Sequence, residues 1–349
     1  MCGLLGYIGA SKDIIKTEKL ITCLFEKTQI RGVDASGYYC VSDFDENKIY
    51  YHKQPGPSIN LIEEKNYKDL WKNKTNLGLF HCRAASTGVG IPQLNQNNHP
   101  FVSHDFAKAV IHNGLIVKHE LAALKKNYEM TSDCDSEIIL RVLEQNNNSC
   151  IENLSFLLSM IQDSHFSVAY SENNFDERRL FLFRNKHRPL YFADLIDELG
   201  QIIFFSTIEI FLSSIELARL QNIKIQPQRI IEIQPYEIYE FISRKNQDIS
   251  INLFYGEKGN DDLILEDNFY PIQKDKKTEF DIDTKLLNNN ILENDLLKII
   301  DEMQSLQIEL SVKVLAFKKN KKPDQESYDN ITKYLKEINK KLNYIITTI

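Results

Sequence analysis

Cys2 has both the side chain and the position of a candidate nucleophile. Removal of Met1 would expose its α-amino group, which has a pKa of about 8 and is therefore partly neutral at physiological pH. That amine could take the thiol proton, so that nucleophile and base would belong to one residue. The alternative is a buried and inert cysteine.

Two arginines flanked by small residues are candidates for binding or supporting a substrate. Arg83 follows strand-like text in LFHCRAASTG, where its planar guanidinium can pair with a carboxylate. Arg31 precedes Gly32 and Asp34 in QIRGVDASGYYC, where a helical pattern gives way to a strand. A structural salt bridge at Arg83 and a turn closed by an Arg31–Asp34 pair are the alternatives.

The segment AVIHNGLI places Asn113 and Gly114 at the end of an apolar, strand-like run. Asparagine offers a side-chain N–H and glycine an accessible backbone N–H, the two donors that an oxyanion hole requires. A tight turn is the alternative, since Asn-Gly is the strongest short-range hairpin signal. Both interpretations can hold together.

Three acidic residues, Asp133, Asp135 and Glu137, lie at a predicted helix start in TSDCDSEIIL. The helix dipole favours carboxylates there, so capping by Ser132 or Asp133 is one interpretation. A carboxylate at this place could also bind a substrate ammonium group. Together, the thiol, the arginine, the Asn-Gly pair and the aspartate describe a site for an amino acid whose side-chain carbonyl is attacked.

The elements that must position these residues are short strands and amphipathic helices. Segments such as GLLGYIG, QIIFFST and RIIEIQPYEIYEF are strand-like, while DIIKTEKLITCLFEKTQI and TIEIFLSSIELARLQ have helical spacing. Because helices are inserted between hairpins without strict β–α alternation, the pattern favours a layered α+β domain.

The chain changes character after residue 245. Residues 246–282 are predicted to be a polar connector with one short strand at SINLFY. Residues 283–349 carry apolar residues at steps of three and four on two segments separated by Pro323. That spacing predicts a two-helix, coiled-coil-like extension, which could pack on the main domain, self-associate or bind another protein.

Composition argues against several classes of function. A net charge of -7 over 349 residues disfavours nucleic-acid or membrane-surface binding. No membrane span or signal peptide is expected. The six cysteines are scattered without C-x-x-C pairs, which is typical of reduced thiols in a cytoplasmic protein. Without metal-ligand spacing or a Gly-rich phosphate loop, no metal or organic cofactor is expected.

Six segments in order resemble the class II glutamine amidotransferase domain, in particular the glutaminase half of glutamine–fructose-6-phosphate aminotransferase. They are CGLLGYIG, RGVDASG, HCRAASTG, NNHPF, IHNGLI and SDCDSEII, and the likeness runs from Cys2 to about residue 245. It implies an N-terminal-nucleophile hydrolase fold over residues 2–245, a four-layer αββα sandwich.

The resemblance also implies the reaction. Cys2 would attack the side-chain amide of L-glutamine with its own amine as base. Asn113 and the backbone N–H of Gly114 would stabilise the oxyanion. The products would be glutamate and ammonia, formed through a thioester on the cysteine.

Four more matched residues acquire roles through the same resemblance. Arg83 would bind the α-carboxylate of the substrate, and Asp135 its α-ammonium group. Ser86 matches a hydroxyl-bearing position near the substrate carboxylate. Arg31 matches an arginine that supports the site around the nucleophile.

The chain also departs from the family pattern. Ala84 and Thr87 stand where tryptophan and histidine are common, and the tryptophan is associated with the path of ammonia. We recognise no acceptor-domain pattern in residues 246–349, so we expect a separate ammonia-accepting protein, or self-association, through residues 283–349. The alternatives are a hydrolase of another γ-glutamyl amide and a catalytically idle scaffold that acts through the C-terminal helices.

Overall fold

The computed structural model describes residues 1–85, 90–145, 149–245, 247–256 and 263–265. The strands are β1 (Gly3–Ile8), β2 (Ala35–Ser42), β3 (Ile49–Pro55), β4 (Thr75–Arg83), β5 (Phe101–Val102), β6 (Lys108–Leu115), β7 (His165–Asn173), β8 (Glu177–Arg184), β9 (Tyr191–Leu195), β10 (Gln201–Phe205), β11 (Arg229–Glu232), β12 (Glu237–Arg244), β13 (Ser250–Gly256) and β14 (Leu263–Leu265). The helices are α1 (Ile14–Thr28), α2 (Ser58–Glu63), α3 (Lys65–Leu70), α4 (Lys118–Leu124), α5 (Glu137–Leu143), α6 (Cys150–Met160), α7 (Ile196–Leu199) and α8 (Ile208–Leu220).

The first sheet has the order β11-β9-β10-β1-β4-β2-β3, with antiparallel pairs. Every residue of the central strand β1 is buried. Antiparallel neighbours run in opposite directions, so the start of β1 lies beside the end of β4, with Gly3 opposite Cys82. The start of β2 lies beside the same end, with Ala35 opposite Arg83. The register therefore gathers the starts of β1 and β2 and the end of β4 at one edge of the sheet.

The second sheet has the order β14-β13-β12-β8-β7-β6-β5, again antiparallel. Within it, β6 pairs with β7 and places Asn113 opposite Ser167. β13 lies where the sequence predicts a strand at SINLFY, and it pairs with β12, so this sheet continues past residue 245. The coiled-coil-like extension predicted for residues 283–349 lies outside the described residues.

The segment RIIEIQPYEIYEF is not one strand, as its composition suggests, but two strands of different sheets. β11 pairs with β9 in the first sheet, and β12 pairs with β8 in the second. The break falls at Pro235, which lacks an N–H for a ladder, and at Tyr236, whose φ of 71° is left-handed. The chain crosses between the sheets at this point.

Three buried clusters show how the layers pack. One cluster contains the outer face of the first sheet and residues of α1, α2, α3 and α8. A second contains the outer face of the second sheet and residues of α4, α5 and α6. The third is made of residues from both sheets, such as Leu4, Phe204, Ile111 and Leu182. The described part is therefore a mixed α/β protein whose two sheets share a core and carry helices on their other faces. Among the described helices, none is long and apolar enough to cross a membrane.

Phe204 provides a test of this shared core. Its ring is fully buried between the sheets, so Phe204→Ala is expected to lower the free energy of unfolding by about 3–5 kcal/mol through lost burial and a residual cavity. Urea unfolding measures the change. Phe175→Ala is the matched control, because Phe175 is 79% exposed and its loss should change stability by less than about 0.5 kcal/mol. Equal losses in the two variants would contradict the assignment.

Candidate active site

Cys2 lies immediately before β1, is half-buried, and is held through its side chain and its carbonyl. Its Sγ donates to the Ala84 carbonyl at 3.6 Å, and Arg31 Nε donates to the Cys2 carbonyl at 2.8 Å. A Cβ on Gly3 would collide with the methyl group of Thr28. Glycine at this position therefore lets the end of α1, and the turn that carries Arg31, lie against residue 2.

Burial raises the pKa of the Cys2 thiol. The hydrogen bond to Ala84 and the positive charges of the amino terminus and Arg83 oppose that rise, while the negative charge of Asp135 adds to it. Arg83 and Asp135 are thus close enough for their charges to act on the thiol. With its pKa raised, the thiol is the resting form, and a base must remove its proton before it can attack a carbonyl.

Arg83 is the last residue of β4 and is buried. Its Nη1 donates to Asn98 Oδ1 at 2.8 Å and its Nη2 to the Gly90 carbonyl at 2.7 Å. Both acceptors are neutral, so these bonds fix the guanidinium without neutralising it. The predicted alternative of a structural salt bridge does not describe these contacts. Within the described part of the chain Arg83 has no carboxylate at ion-pair distance, so its positive charge can attract an anionic group.

Sequence reasoning missed Asn98 and Gly90, the two residues that hold the Arg83 guanidinium. Asn98 is held in turn, because its Nδ2 donates to the Pro92 carbonyl at 2.7 Å and to Asn95 Oδ1 at 3.2 Å. Gly90 has a φ of 57°, in the left-handed region that favours glycine. The only sequence signal for Asn98 was the segment NNHPF. That segment was part of the family resemblance, and nothing in it indicated a contact with Arg83.

Arg31 and Asp34, which were a predicted pair, each bond to a different part of the chain. Arg31 bonds to Cys2, while Asp34 Oδ2 accepts the backbone N–H of Ala85 at 2.8 Å. A Cβ on Gly32 would collide with the main chain of Arg83, so glycine lets the 31–34 turn lie directly against the end of β4. This turn supports both the residue before β1 and the segment after β4.

Asn113 and Gly114 lie within β6 and not in a tight turn, because pairing with β7 continues through both residues. Asn113 is 1% exposed, and its Nδ2 has no hydrogen-bond partner among the described residues. A Cβ on Gly114 would collide with the His165 carbonyl of β7. The result is a buried amide donor without an acceptor, beside a glycine required by close strand packing.

Asp135 is buried just before α5. Its Oδ2 accepts the backbone N–H of Ile116 at 2.7 Å, and from the described residues its Oδ1 accepts only a long contact, from Cys134 Sγ at 3.8 Å. Ile116 follows β6 closely, so this bond connects the carboxylate to the strand that carries Asn113. One oxygen is left with weak protein contact and can accept from a cation.

The acidic cluster therefore divides into different roles. α5 begins at Glu137, and its N-cap residue Ser136 makes no capping bond, so the predicted capping by Ser132 or Asp133 is wrong. Ser132 Oγ instead accepts the backbone N–H of Cys134 at 3.3 Å. The buried Glu137 carboxylate accepts main-chain N–H groups of the preceding turn, which makes it structural.

Ser86, the remaining predicted site residue, lies outside the described residues.

Known proteins resemble this chain in sequence. Residues 86–213 match the family model described as a glutamine amidotransferase domain. A glutamine–fructose-6-phosphate aminotransferase (isomerizing) from Pyrococcus horikoshii is 32% identical over 151 residues, which are 42% of this chain and 23% of that protein. The same enzyme from Wigglesworthia glossinidia brevipalpis is 32% identical over 183 residues, 50% of this chain and 28% of that protein. The chain spans about a quarter of the length of these relatives.

A solved structure shares the fold. Glutamine phosphoribosylpyrophosphate amidotransferase from B. subtilis, complexed with ADP and GMP, aligns with a TM-score of 0.50 at 19% identity, covering 72% of this chain and 48% of that one. Residues 86–213 thus match a glutamine amidotransferase domain in sequence, and the chain shares the fold of a solved amidotransferase. The matching part of the chain is homologous to part of the glutamine–fructose-6-phosphate aminotransferases, which are enzymes.

Proposed function

We propose that this domain hydrolyses the side-chain amide of L-glutamine to glutamate and ammonia, with Cys2 as the nucleophile after removal of Met1. Met1 is 67% exposed, which fits its removal. The observation that carries the proposal is that the Cys2 thiol donates to the carbonyl of Ala84, the residue that follows Arg83. The charges of Arg83 and Asp135, which both act on that thiol, agree with it. A cationic group and an anionic group close to a thiol can bind the α-carboxylate and α-ammonium groups of an amino acid while its side chain reaches the sulfur.

The substrate would be held by its α-amino-acid group. The Arg83 guanidinium, which the bonds to Asn98 and Gly90 hold in place, would bind the α-carboxylate. The weakly engaged Oδ1 of Asp135 would accept from the α-ammonium group. Ser86 would add a hydroxyl near the carboxylate, and Arg31 would fix residue 2 through its carbonyl.

Attack would begin with transfer of the thiol proton to the neutral α-amine of Cys2. The sulfur then bonds to the amide carbon, and the carbonyl oxygen takes up negative charge. Asn113 Nδ2 and the backbone N–H of Gly114 would donate to that oxygen. The unpartnered state of the Asn113 amide supports this role, since a donor left without a protein acceptor is free for a charge that forms only during the reaction.

Collapse of the tetrahedral intermediate would break the C–N bond and return the proton to the leaving nitrogen. Ammonia departs, and the glutamyl group remains on Cys2 as a thioester. A water molecule, deprotonated by the same amine, would then attack the thioester carbon. Glutamate leaves with the second oxygen from water, and the thiol is regenerated.

The test is a substrate comparison with the processed protein, in which intact mass confirms loss of Met1. L-Glutamine should release glutamate and ammonia in equal amounts, and faster than γ-glutamyl methylamide. Faster turnover of the substituted amide would favour a general γ-glutamyl amidase. Absence of release from any amide, alone or with a co-purified acceptor, would favour an idle scaffold and overturn the proposal.

Arg83→Lys is expected to raise the KM for L-glutamine roughly 10- to 100-fold while kcat changes little. Lysine keeps the charge but loses the planar fork, and a lost charge-assisted hydrogen bond is worth about 1.5–3 kcal/mol. Steady-state kinetics of glutamate release measure the split. Arg229→Lys is the control, since Arg229 pairs with Asp194 at the far edge of the first sheet. An unchanged KM in Arg83→Lys would remove Arg83 from the carboxylate site.

We propose that the ammonia is used at an acceptor site on a separate chain, and that residues 283–349 bind that chain. The apolar spacing of that segment supports a docking or self-association role. Size-exclusion chromatography of the full chain and of a chain ending at residue 282, each with the co-purified partner, tests this. Recovery of the same complex without residues 283–349 would contradict it.

A further inference from the structure

Three buried histidines lie behind the candidate site and have no part in the proposed chemistry. They are His81 in β4, His99 before β5 and His112 in β6. The rings of His81 and His99 stack with centroids 4.1 Å apart. His81 Nε2 lies 3.0 Å from the main-chain carbonyl of His112, and His112 Nδ1 lies 2.8 Å from Ser136 Oγ.

The first of these bonds fixes the proton of His81. A carbonyl oxygen only accepts, so Nε2 of His81 is the donor. Its Nδ1 has no partner among the described residues. Burial lowers the pKa of His81 to about 3, with a smaller contribution from the charge of Arg83. The ring therefore stays neutral between pH 5 and pH 9.

The two ends of this hydrogen bond lie near the proposed nucleophile and the proposed oxyanion donor, within two residues along β1 and one residue along β6. His81 is opposite Leu4 in the β1–β4 pair, two residues from Cys2. His112 directly precedes Asn113. β4 belongs to the first sheet and β6 to the second, so the bond joins the nucleophile's sheet to the sheet of the oxyanion donor.

We propose that His81 is a positioning residue, whose Nε2–H to His112 bond sets the distance between the Cys2 sulfur and the Asn113 amide. This rests on the proposed glutaminase function. An oxyanion donor acts only when it lies at hydrogen-bond distance from the forming oxyanion, and a displacement of about 1 Å can cost about 10²-fold in rate. Substrate binding by Arg83 and Asp135 uses other contacts, so the effect should fall on kcat.

Two variants separate the hydrogen bond from the packing of the ring. His81→Gln keeps a donor close to the position of Nε2 but loses the ring. His81→Phe keeps a ring against His99 but has no donor. If the hydrogen bond is what matters, kcat should fall about 10²-fold in His81→Phe and recover to within about fivefold of the wild type in His81→Gln, with KM within about twofold in both.

The measurements are kcat and KM of glutamate release by the full chain from pH 5 to pH 9, with thermal unfolding of every variant. The pH profile of His81→Gln should match that of the wild type, because the histidine does not titrate in this range. Wild-type rates in His81→Phe, or a greater loss in His81→Gln than in His81→Phe, would overturn the inference. His81→Leu, which also lacks a donor, replaces His81→Phe if the latter does not fold.

The same experiment distinguishes failure of the inference from failure of the function. Cys2-dependent release by the wild type together with an active His81→Phe would reject the role of His81 alone. Absence of Cys2-dependent release by the wild type, with or without a co-purified acceptor, would reject both.

Discussion

Cys2→Ala is expected to lower glutamate release from L-glutamine by at least about 10³-fold while the fold remains intact. The methyl group cannot form the thioester, and the remaining oxyanion and substrate contacts have no nucleophile to assist. Alanine is also small enough to permit removal of Met1, so the variant keeps the same free amino terminus. Initial rates and intact mass, measured on the same preparations, check both points.

The control is Cys150→Ala. Cys150 is half-buried like Cys2, and burial likewise raises its pKa, but it lies at the start of α6. Its replacement should leave glutamate release near the wild-type rate. Release by Cys2→Ala within about tenfold of the wild type, with an unchanged melting temperature, would remove Cys2 from the chemistry.

The pH dependence should depend on the α-amine of the same residue. Because burial raises the pKa of the thiol, the reaction needs a neutral amine as base. The pKa of an α-amine is about 8, so rates should rise with pH through the range just below it. The neutral, buried His81 and His112 add no ionisation there, since burial lowers their pKa values to about 3 and about 4.

The candidate residues could be chosen from residue types, because a thiol, a guanidinium, an amide and a carboxylate each suit one part of the proposed glutamine substrate. Their proximity could not be predicted. Cys2 lies beside the residues that flank Arg83 only through the register of β1 against β4, about 80 residues away along the chain. Asp135 accepts a hydrogen bond from Ile116, directly after the strand that contains Asn113. No local sequence pattern predicts this bond.

Local signals failed where tertiary pairing overrides them. Asn113-Gly114 has the composition of a tight turn, yet β7 pairs along both residues and holds them in a strand. The segment 229–241 has strand composition throughout, but its two halves find partners in different sheets. Sequence reasoning did not find Asn98 and His81 for another reason, since their contacts are with Arg83 and with the His112 carbonyl, far from them in sequence.

Asn113→Leu is expected to lower kcat about 10²- to 10³-fold with little change in KM, because it removes an oxyanion donor that is used only in the transition state. Its effect on stability should have the opposite sign. A buried amide donor without a partner carries a desolvation penalty of about 1–3 kcal/mol, and leucine has nearly the same shape without the polar group. Asn113→Leu should therefore unfold at an equal or higher urea concentration than the wild type.

Asn76→Leu is the matched control for both measurements. Asn76 is equally buried, and its side-chain amide also has no described partner, but it lies at the opposite end of β4 from Arg83. It should gain stability without losing glutaminase activity. If Asn113→Leu lost no more activity than Asn76→Leu, the oxyanion role would be wrong. If Asn113→Leu lost activity and stability together, the amide would instead be part of the packing. A gain in stability paired with loss of turnover is the result expected of a donor kept unpartnered for the reaction.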